Sequence, residues 1–372
     1  MENYFLTHIE NIDIENISKC PLCTSENISK LSQVYLNKKI NFCETSYCNQ
    51  CSFLFRSKRP SIEWFYKYWS EEKSDEKIEI KTNLPIEKQR HKRYLNTAKI
   101  CEKEISGRQV LDIGTGTGLG LKAFVDRKWD CYGIEPDESR ANYARNLNIT
   151  MFTKSIEQID TLSLTNKFDL VLLMQTLEHF HNPREFLQKI KTVINEERFL
   201  YVEVPDLYNY GVWSDALYWK HMQLFSKFTL NKLLNDVGLV PIKWFKPKTQ
   251  PFSINHISAI CKKTDRPQTE KIHKPSFEET KNAYVRNAKN ELSDTDLPIK
   301  YTVNSLIEQS GIAVIPKYAD DGFFVLKKIS PNEIKLRAIK NNPKSKIIKQ
   351  VFRKVAQKNA TDPEFETIFS YD

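Results

Sequence analysis

From residue 85 to about residue 262, short apolar runs alternate with longer stretches whose apolar residues recur every three or four positions. Ile86, Tyr94, Leu95, Ala98, Cys101 and Ile105 share one face of an expected helix over 85–105 that leads into the core. Buried strands are expected at Val110–Ile113, Cys131–Ile134, Phe168–Met174 and Phe199–Val204, with a third strand ahead of Ser155 and a closing strand at Ile254–Cys261. Helices are expected between them at Leu119–Arg127, Glu138–Leu147, Arg184–Ile194 and Thr229–Val237. This alternation predicts an α/β fold with a mostly parallel sheet and helices on both faces, where ligands bind beyond the carboxyl ends of the strands.

The flanks carry a different pattern. Residues 1–19 read as a loose arm and 20–57 as a small cysteine-bearing unit. The aromatic-dense segment Ser61–Trp69 suits a helix packed between that unit and the main domain. The expected organisation is 1–57 for arm and cysteine unit, 58–105 for connector and lead-in helix, 106–262 for the main α/β domain, and 263–372 for a C-terminal extension. The extension shows a helical stretch near 276–292, apolar pieces at Gly311–Ile315 and Gly322–Leu326, and a basic amphipathic helix over Ser345–Gln357.

Composition narrows the class. Of the 372 residues, 40% are hydrophobic and 12% aromatic, which excludes a disordered chain. No stretch approaches the roughly 20 apolar residues that cross a bilayer, and the first residues form no apolar leader, so a cytoplasmic location is expected. The net charge of +9 is uneven: Lys327–Lys358 holds eleven Lys and Arg against the single acid Glu333, which leaves the remainder near neutrality.

Five of eight cysteines precede residue 52, and four of them form Cys20-Pro-Leu-Cys23 and Cys48-Asn-Gln-Cys51. Two such knuckles, 24 residues apart, suit a tetrahedral Zn²⁺ in a zinc ribbon, and the intervening residues are long enough for a hairpin. Disulfides need an oxidising compartment, and a redox pair needs no second knuckle. Cys43 reads as strand packing or a substitute ligand, and Cys101, Cys131 and Cys261 as buried thiols.

Glycine is sparse, ten in all, yet Gly114, Gly116, Gly118 and Gly120 crowd one turn directly after an expected strand. A dinucleotide fingerprint spaces its glycines GxGxxG, whereas the spacing here is GxGxG with Asp112 two residues ahead. That arrangement suits a ligand with an ammonium to neutralise and no pyrophosphate to cradle, which describes S-adenosylmethionine (SAM). Glu135 ends the second strand, where a carboxylate can accept from both ribose hydroxyls.

With these features the chain resembles the class I SAM-dependent methyltransferases over about residues 85–262. The resemblance implies their Rossmann-like sheet with an antiparallel last strand. It places Asp112, Gly114, Gly116 and Gly118 against the methionine side of the cofactor and Glu135 on the ribose. It also places Ser155 and Ile156 near the adenine and Met174 and Gln175 beside the methionine moiety. Leu177-Glu-His-Phe-His-Asn-Pro183, Val202-Glu-Val-Pro205 and His221-Met-Gln-Leu-Phe-Ser226 are similar to segments of small-molecule methyltransferases. With the cysteine unit in front, the chain resembles zinc-ribbon enzymes of sugar and surface-glycan pathways, including deoxysugar C-methyltransferases. Those enzymes carry a Glu-His pair where this chain has Lys220-His221, so their acid/base carboxylate is missing here.

Methyl transfer requires an aligned acceptor and removal of one proton. His221 and His179 suit that task by their near-neutral pKa, and each also reads as a hydrogen-bonded structural histidine. His181 reads as a loop or solvent residue, while Tyr218 and Tyr68 are hydroxyl donors able to orient a sugar-like acceptor or to pack. The expected activity is methylation of a small polar metabolite such as a sugar or nucleotide-linked sugar. A zinc-ribbon RNA methyltransferase and a non-catalytic binding protein are the alternatives, although a nucleic-acid reader spreads Lys and Arg over its active face.

Overall fold

A computed structural model describes residues 13–36, 40–65, 85–154, 164, 167–208, 221–245, 256–264, 266, 271–284, 312–316, 323–330, 333–339 and 365–370. Beyond the cysteine unit, β5 (Gln109–Ile113) is an inner strand of a seven-stranded sheet. On one side it pairs in parallel with β6 (Asp130–Ile134), followed by β7 (Thr150–Phe152). On the other side come β8 (Phe168–Met174) and β9 (Ile194–Pro205), also parallel. β12 (His256–Lys263) then runs antiparallel to β9, and β11 (Leu239–Phe245) antiparallel to β12.

The inner strands are apolar on both faces because helices cover both. Leu111, Ile113, Val171 and Leu173 join a core with Leu187 and Ile190 of α4 (Pro183–Val193) and Leu230, Leu233 and Leu234 of α5 (Lys227–Asp236). The alternate residues Val110, Leu170, Leu172 and Met174 face Tyr94, Ala98 and Cys101 of α1 (Pro85–Glu104) and Ala141 and Ala144 of α3 (Glu138–Arg145). Two-residue periodicity thus divides each strand between two cores.

Several expected bounds change. The helix expected over 119–127 contracts to α2 (Lys122–Val125), because Gly114, Gly116 and Gly118 all adopt positive φ and the chain spends the intervening residues in turns. Strand β11 goes unpredicted because Pro241 sits inside it; the proline lies where the ladder changes register, on the sheet edge, where a missing N–H is tolerated. β9 begins at Ile194 with no loop after α4.

The cysteine unit is built on β2 (Ile28–Leu36), β3 (Ile40–Cys48) and β4 (Leu54–Pro60), antiparallel throughout. Ile14–Asn16, expected within a loose arm, instead forms β1 and pairs with β4, where Glu15 accepts from Arg59 at 2.5 Å. The apolar pieces near 311 and 322 lie in β13 (Ile312–Pro316) and β14 (Phe323–Ser330). With β15 (Glu333–Ile339) and β16 (Phe365–Ser370) they extend this sheet through β2. A helix at 277–284 buries Tyr284 against the unit, with its hydroxyl donating to Thr45 Oγ1 at 3.3 Å. Trp64 and Phe65 are buried, while Tyr68 and the helix expected at 345–357 lie outside the described residues.

β10 (Gln223–Leu224), which lies between β9 and α5 in the chain, joins the sheet of the cysteine unit by pairing with Phe55 and Leu54 of β4. Beside it Arg56, fully buried, donates through Nε to the His221 carbonyl at 3.1 Å and hydrogen-bonds Thr45 Oγ1. A guanidinium out of water costs several kcal/mol unless its donors are satisfied, so these bonds fix the path of the 221–224 segment.

Candidate functional site

The glycine turn leaves β5 and is locked to β6 by Gly114 N–H and Thr115 N–H, both donating to the Ile134 carbonyl. Gly118 is a packing glycine, since a Cβ there would stand 2.8 Å from Ala144 Cβ. Gly116 differs: at φ +60° a Cβ would meet no atom within 4 Å, so this stretch of backbone faces open space. Glu135, just past β6, reaches back into the turn, accepting from Gly116 N–H at 3.0 Å and from Asp137 N–H at 3.1 Å.

Asp112 lies 1% exposed on β5. Tyr94 of α1 donates its hydroxyl to Oδ2 at 3.0 Å, while Oδ1 is buried with no hydrogen-bond partner. Burial pushes this carboxyl up to about 7. Thr117 Oγ1 is likewise buried and unpartnered in the turn. An orphaned carboxylate oxygen, an orphaned hydroxyl, an exposed glycine backbone and a second carboxylate fit a ligand that brings an ammonium and a diol, as SAM does.

Thr176, after β8, closes the neighbouring corner: Oγ1 donates to the Ile113 carbonyl at 3.0 Å and stands 3.1 Å from where a Gly114 Cβ would be. Met174 is buried at the strand end. Gln175, at φ +60°, donates its N–H to the Glu203 carbonyl and brings its side-chain amide within 3.1 Å of His256 Nδ1. Arg93 Nη1 lies 3.2 Å from His256 Nε2, and Arg93 Nε lies 3.4 Å from Glu203 Oε1. This Arg93–His256–Glu203 group braces Gln175 and was not legible beforehand, because its members lie on three elements far apart in the chain.

Leu177–His179 forms a single 3₁₀ turn beyond β8. It sets His179 edge-on to His221, with ring centroids 4.5 Å apart. Glu178 is 1% exposed in the same turn, with a carboxylate oxygen within 4.8 Å of ring nitrogens of His179 and His221. Gln223 Nε2 donates to the carbonyls of Phe180 and His181, which ties the His221 segment to this turn. His181 lies in the loop ahead of α4 as expected but is buried, not solvent-facing, and donates Nε2–H to the Pro60 carbonyl at 2.9 Å. Burial, then the charge of Arg59, pulls its pKa down to about 4. Ser155, Ile156, Tyr218 and Lys220 lie outside the described residues.

Cys20, Cys23, Cys48 and Cys51 converge with all four sulfurs within 4.8 Å of one another. The Cys20–Cys51 and Cys23–Cys48 separations are both 3.5 Å, far beyond a disulfide bond. A tetrahedral site with Zn–S bonds of about 2.3 Å has edges of about 3.8 Å, so the donor set and spacing fit zinc. Hydrogen bonds from Cys20 and Cys51 lower the pKa of Cys48, so the first thiolate of the group forms there. Cys43 is buried in β3 outside this group, as are Cys101, Cys131 and Cys261 in the main domain.

Residues 86–243 match the sequence model of a family described as a methyltransferase domain. Similar curated proteins include the (S)-tetrahydroprotoberberine N-methyltransferase of Eschscholzia californica, 29% identical over 134 residues, 34% of this chain and 37% of that protein. The ubiquinone biosynthesis O-methyltransferase of Glaesserella parasuis is 31% identical over 108 residues, 26% of this chain and 44% of that protein. The tRNA U34 carboxymethyltransferase of Idiomarina loihiensis is 34% identical over 105 residues, 24% of this chain and 31% of that protein. The chain thus spans less than half the length of each of these relatives. Among the described residues no helix is long and apolar enough to cross a membrane.

Proposed function

We propose that this chain, whose residues 86–243 form a class I SAM-dependent methyltransferase domain, methylates a small polar metabolite, with a sugar or nucleotide-linked sugar as the acceptor class. The observation that carries the reading is the partnerless Asp112 oxygen at an open glycine turn, with a pair of imidazoles beyond the adjacent strand. The sugar class draws its support from the segments around His179, Val202 and His221, similar to those of small-molecule methyltransferases, taken together with the four-cysteine unit in front, an arrangement that resembles zinc-ribbon sugar enzymes.

Bound SAM supplies a methyl group already activated by its sulfonium. The chain's own residues then divide the remaining work. Asp112 neutralises the ammonium, Glu135 exchanges its bonds to Gly116 and Asp137 for the ribose hydroxyls, and Ser155 and Ile156 border the adenine. Met174 and Gln175 line the methionine side. His221 takes the acceptor's proton with His179 against its ring, and Tyr218 orients the acceptor. Cys20, Cys23, Cys48 and Cys51 hold a structural Zn²⁺ whose ribbon fixes the His221 segment through Arg56.

The test is incubation of the purified chain with methyl-labelled SAM and two fractions of a bacterial extract, small metabolites and RNA. Label in the metabolite fraction that is lost in Glu135→Ala is the expected result. Label in RNA alone would overturn the acceptor class and turn the basic C-terminal stretch into a recognition element.

A further inference from the structure

Outside the cysteine unit one further group of metal-ligating side chains converges among the described residues: Glu178, His179 and His221, whose ligand atoms all lie within 4.8 Å of one another. Two come from the 3₁₀ turn after β8 and the third from the segment entering β10. Around an ion with bonds of about 2.1 Å, neighbouring ligand atoms stand about 3 to 3.5 Å apart. Closure onto an ion therefore draws the ligand atoms together by no more than about 2 Å, within reach of side-chain rotation. The backbone is fixed from both sides, by Gln223 Nε2 on the Phe180 and His181 carbonyls and by Arg56 on the His221 carbonyl. Glu178 is 1% and His221 8% exposed, so an ion here would exchange water for protein ligands on one side.

We propose that Glu178, His179 and His221 bind a divalent first-row transition-metal ion, separate from the ion of the four thiolates. Two imidazoles and one carboxylate leave coordination positions open, and an oxygen of the methyl acceptor fills one of them. Binding of the ion assumes nothing about catalysis, whereas its use on the acceptor rests on the methyl-transfer reading above. In that use the ion lowers the pKa of the oxygen it holds, so that the oxygen gives its proton to solvent water before it attacks the methyl group, and His221 serves as a ligand in place of accepting that proton itself. The acceptors favoured are those with a hydroxyl or carboxyl oxygen, above all those with two adjacent oxygens able to chelate.

The experiment titrates the full chain, cleared of weakly held ions on a chelating resin, with Mn²⁺ and follows free Mn²⁺ by electron paramagnetic resonance. Thiolates hold manganese poorly, so uptake reads the nitrogen–oxygen site alone. One equivalent per chain is expected, weakened at least tenfold in both Glu178→Gln and His179→Asn, with zinc on the cysteines unchanged as proof of folding. No uptake of Mn²⁺ by the wild-type chain, together with no Co²⁺ or Zn²⁺ beyond the cysteine equivalent, overturns the proposal. Uptake in both variants as tight as in the wild-type chain overturns it too. Calorimetric binding of S-adenosylhomocysteine to the same preparations separates the two readings: donor binding with no second ion sinks this inference alone, and a second ion with no donor binding sinks the methyl-transfer reading and leaves the site standing.

Discussion

Donor affinity should collapse in mild acid, and Asp112 is the reason. Its carboxyl titrates at about 7 in the cofactor-free protein, against an ordinary value of 3.8, because burial penalises the anion. A shift of about 3 units is worth about 4 kcal/mol in favour of the neutral form. Between about pH 4 and pH 7 the native state therefore binds more protons than the unfolded state, and this group's contribution to stability, complete below pH 4, is lost as the pH rises through 7. A bound ammonium reverses the preference by pairing with the ionised carboxylate, so binding expels a proton. Affinity then falls about 25-fold from pH 7.5 to pH 5.5, a window below the ligand's own α-amino pKa of about 8. Calorimetric titration with S-adenosylhomocysteine, in buffers of different ionisation enthalpy, measures both the affinity and the proton released. Asp112→Asn should weaken binding at pH 7.5 about 10- to 100-fold, the loss of one charge-assisted bond, and flatten the pH profile. A wild-type affinity that varies less than twofold over this range, or a slope that survives in Asp112→Asn, would refute the reasoning.

Three further outcomes follow from neighbouring geometry. Gly116→Ala meets no atom in the free protein, so denaturant unfolding should register only the cost of positive φ, about 1 to 2 kcal/mol, while donor affinity drops at least tenfold because the new methyl occupies the ligand's approach. Arg56→Lys keeps a buried charge but loses the fork that holds Thr45 and the His221 carbonyl; steady-state kinetics should show turnover reduced at least tenfold with donor affinity within twofold of wild type. His181, pulled down to about 4, stays neutral in the fold, so its contribution is complete above pH 6.5 and is lost as the pH falls toward 4, by up to about 3 kcal/mol. The difference in melting temperature between wild type and His181→Gln, followed from pH 7 to pH 4.5, isolates that contribution from the opposite trend of Asp112, and a constant difference would exclude it.

Chemistry written within a few consecutive residues was legible in the sequence. Phe168–Met174 reads as a strand because both of its faces are apolar, and the glycines after Ile113 announce a turn because few other residues tolerate positive φ. The two cysteine knuckles carry their spacing in plain view. Partners distant along the chain were not legible. Tyr94 reads as one more apolar helix position, and nothing local reveals that its hydroxyl meets Asp112. His181 reads as polar, and its burial depends on a carbonyl 121 positions away. Glu178 was visible as a letter of a motif, but its place beside His221 requires a fold that brings the turn after β8 against β10. Strand β11 was hidden by Pro241, whose edge position only the assembled sheet reveals.

The two-residue strand β10 also imposes an order on biosynthesis. Phe53, Leu54 and Phe55 are fully buried in the finished molecule, and part of their cover is the pairing of Leu54 and Phe55 with Leu224 and Gln223. On the ribosome the two cysteine knuckles emerge long before residue 224 exists. At about 5 to 20 residues per second the interval is about 10 to 30 s. For that time the hairpin presents an apolar strand edge to its surroundings, the kind of edge that recruits neighbouring chains. Closure of that edge in the nascent chain therefore waits on Gln223 and Leu224.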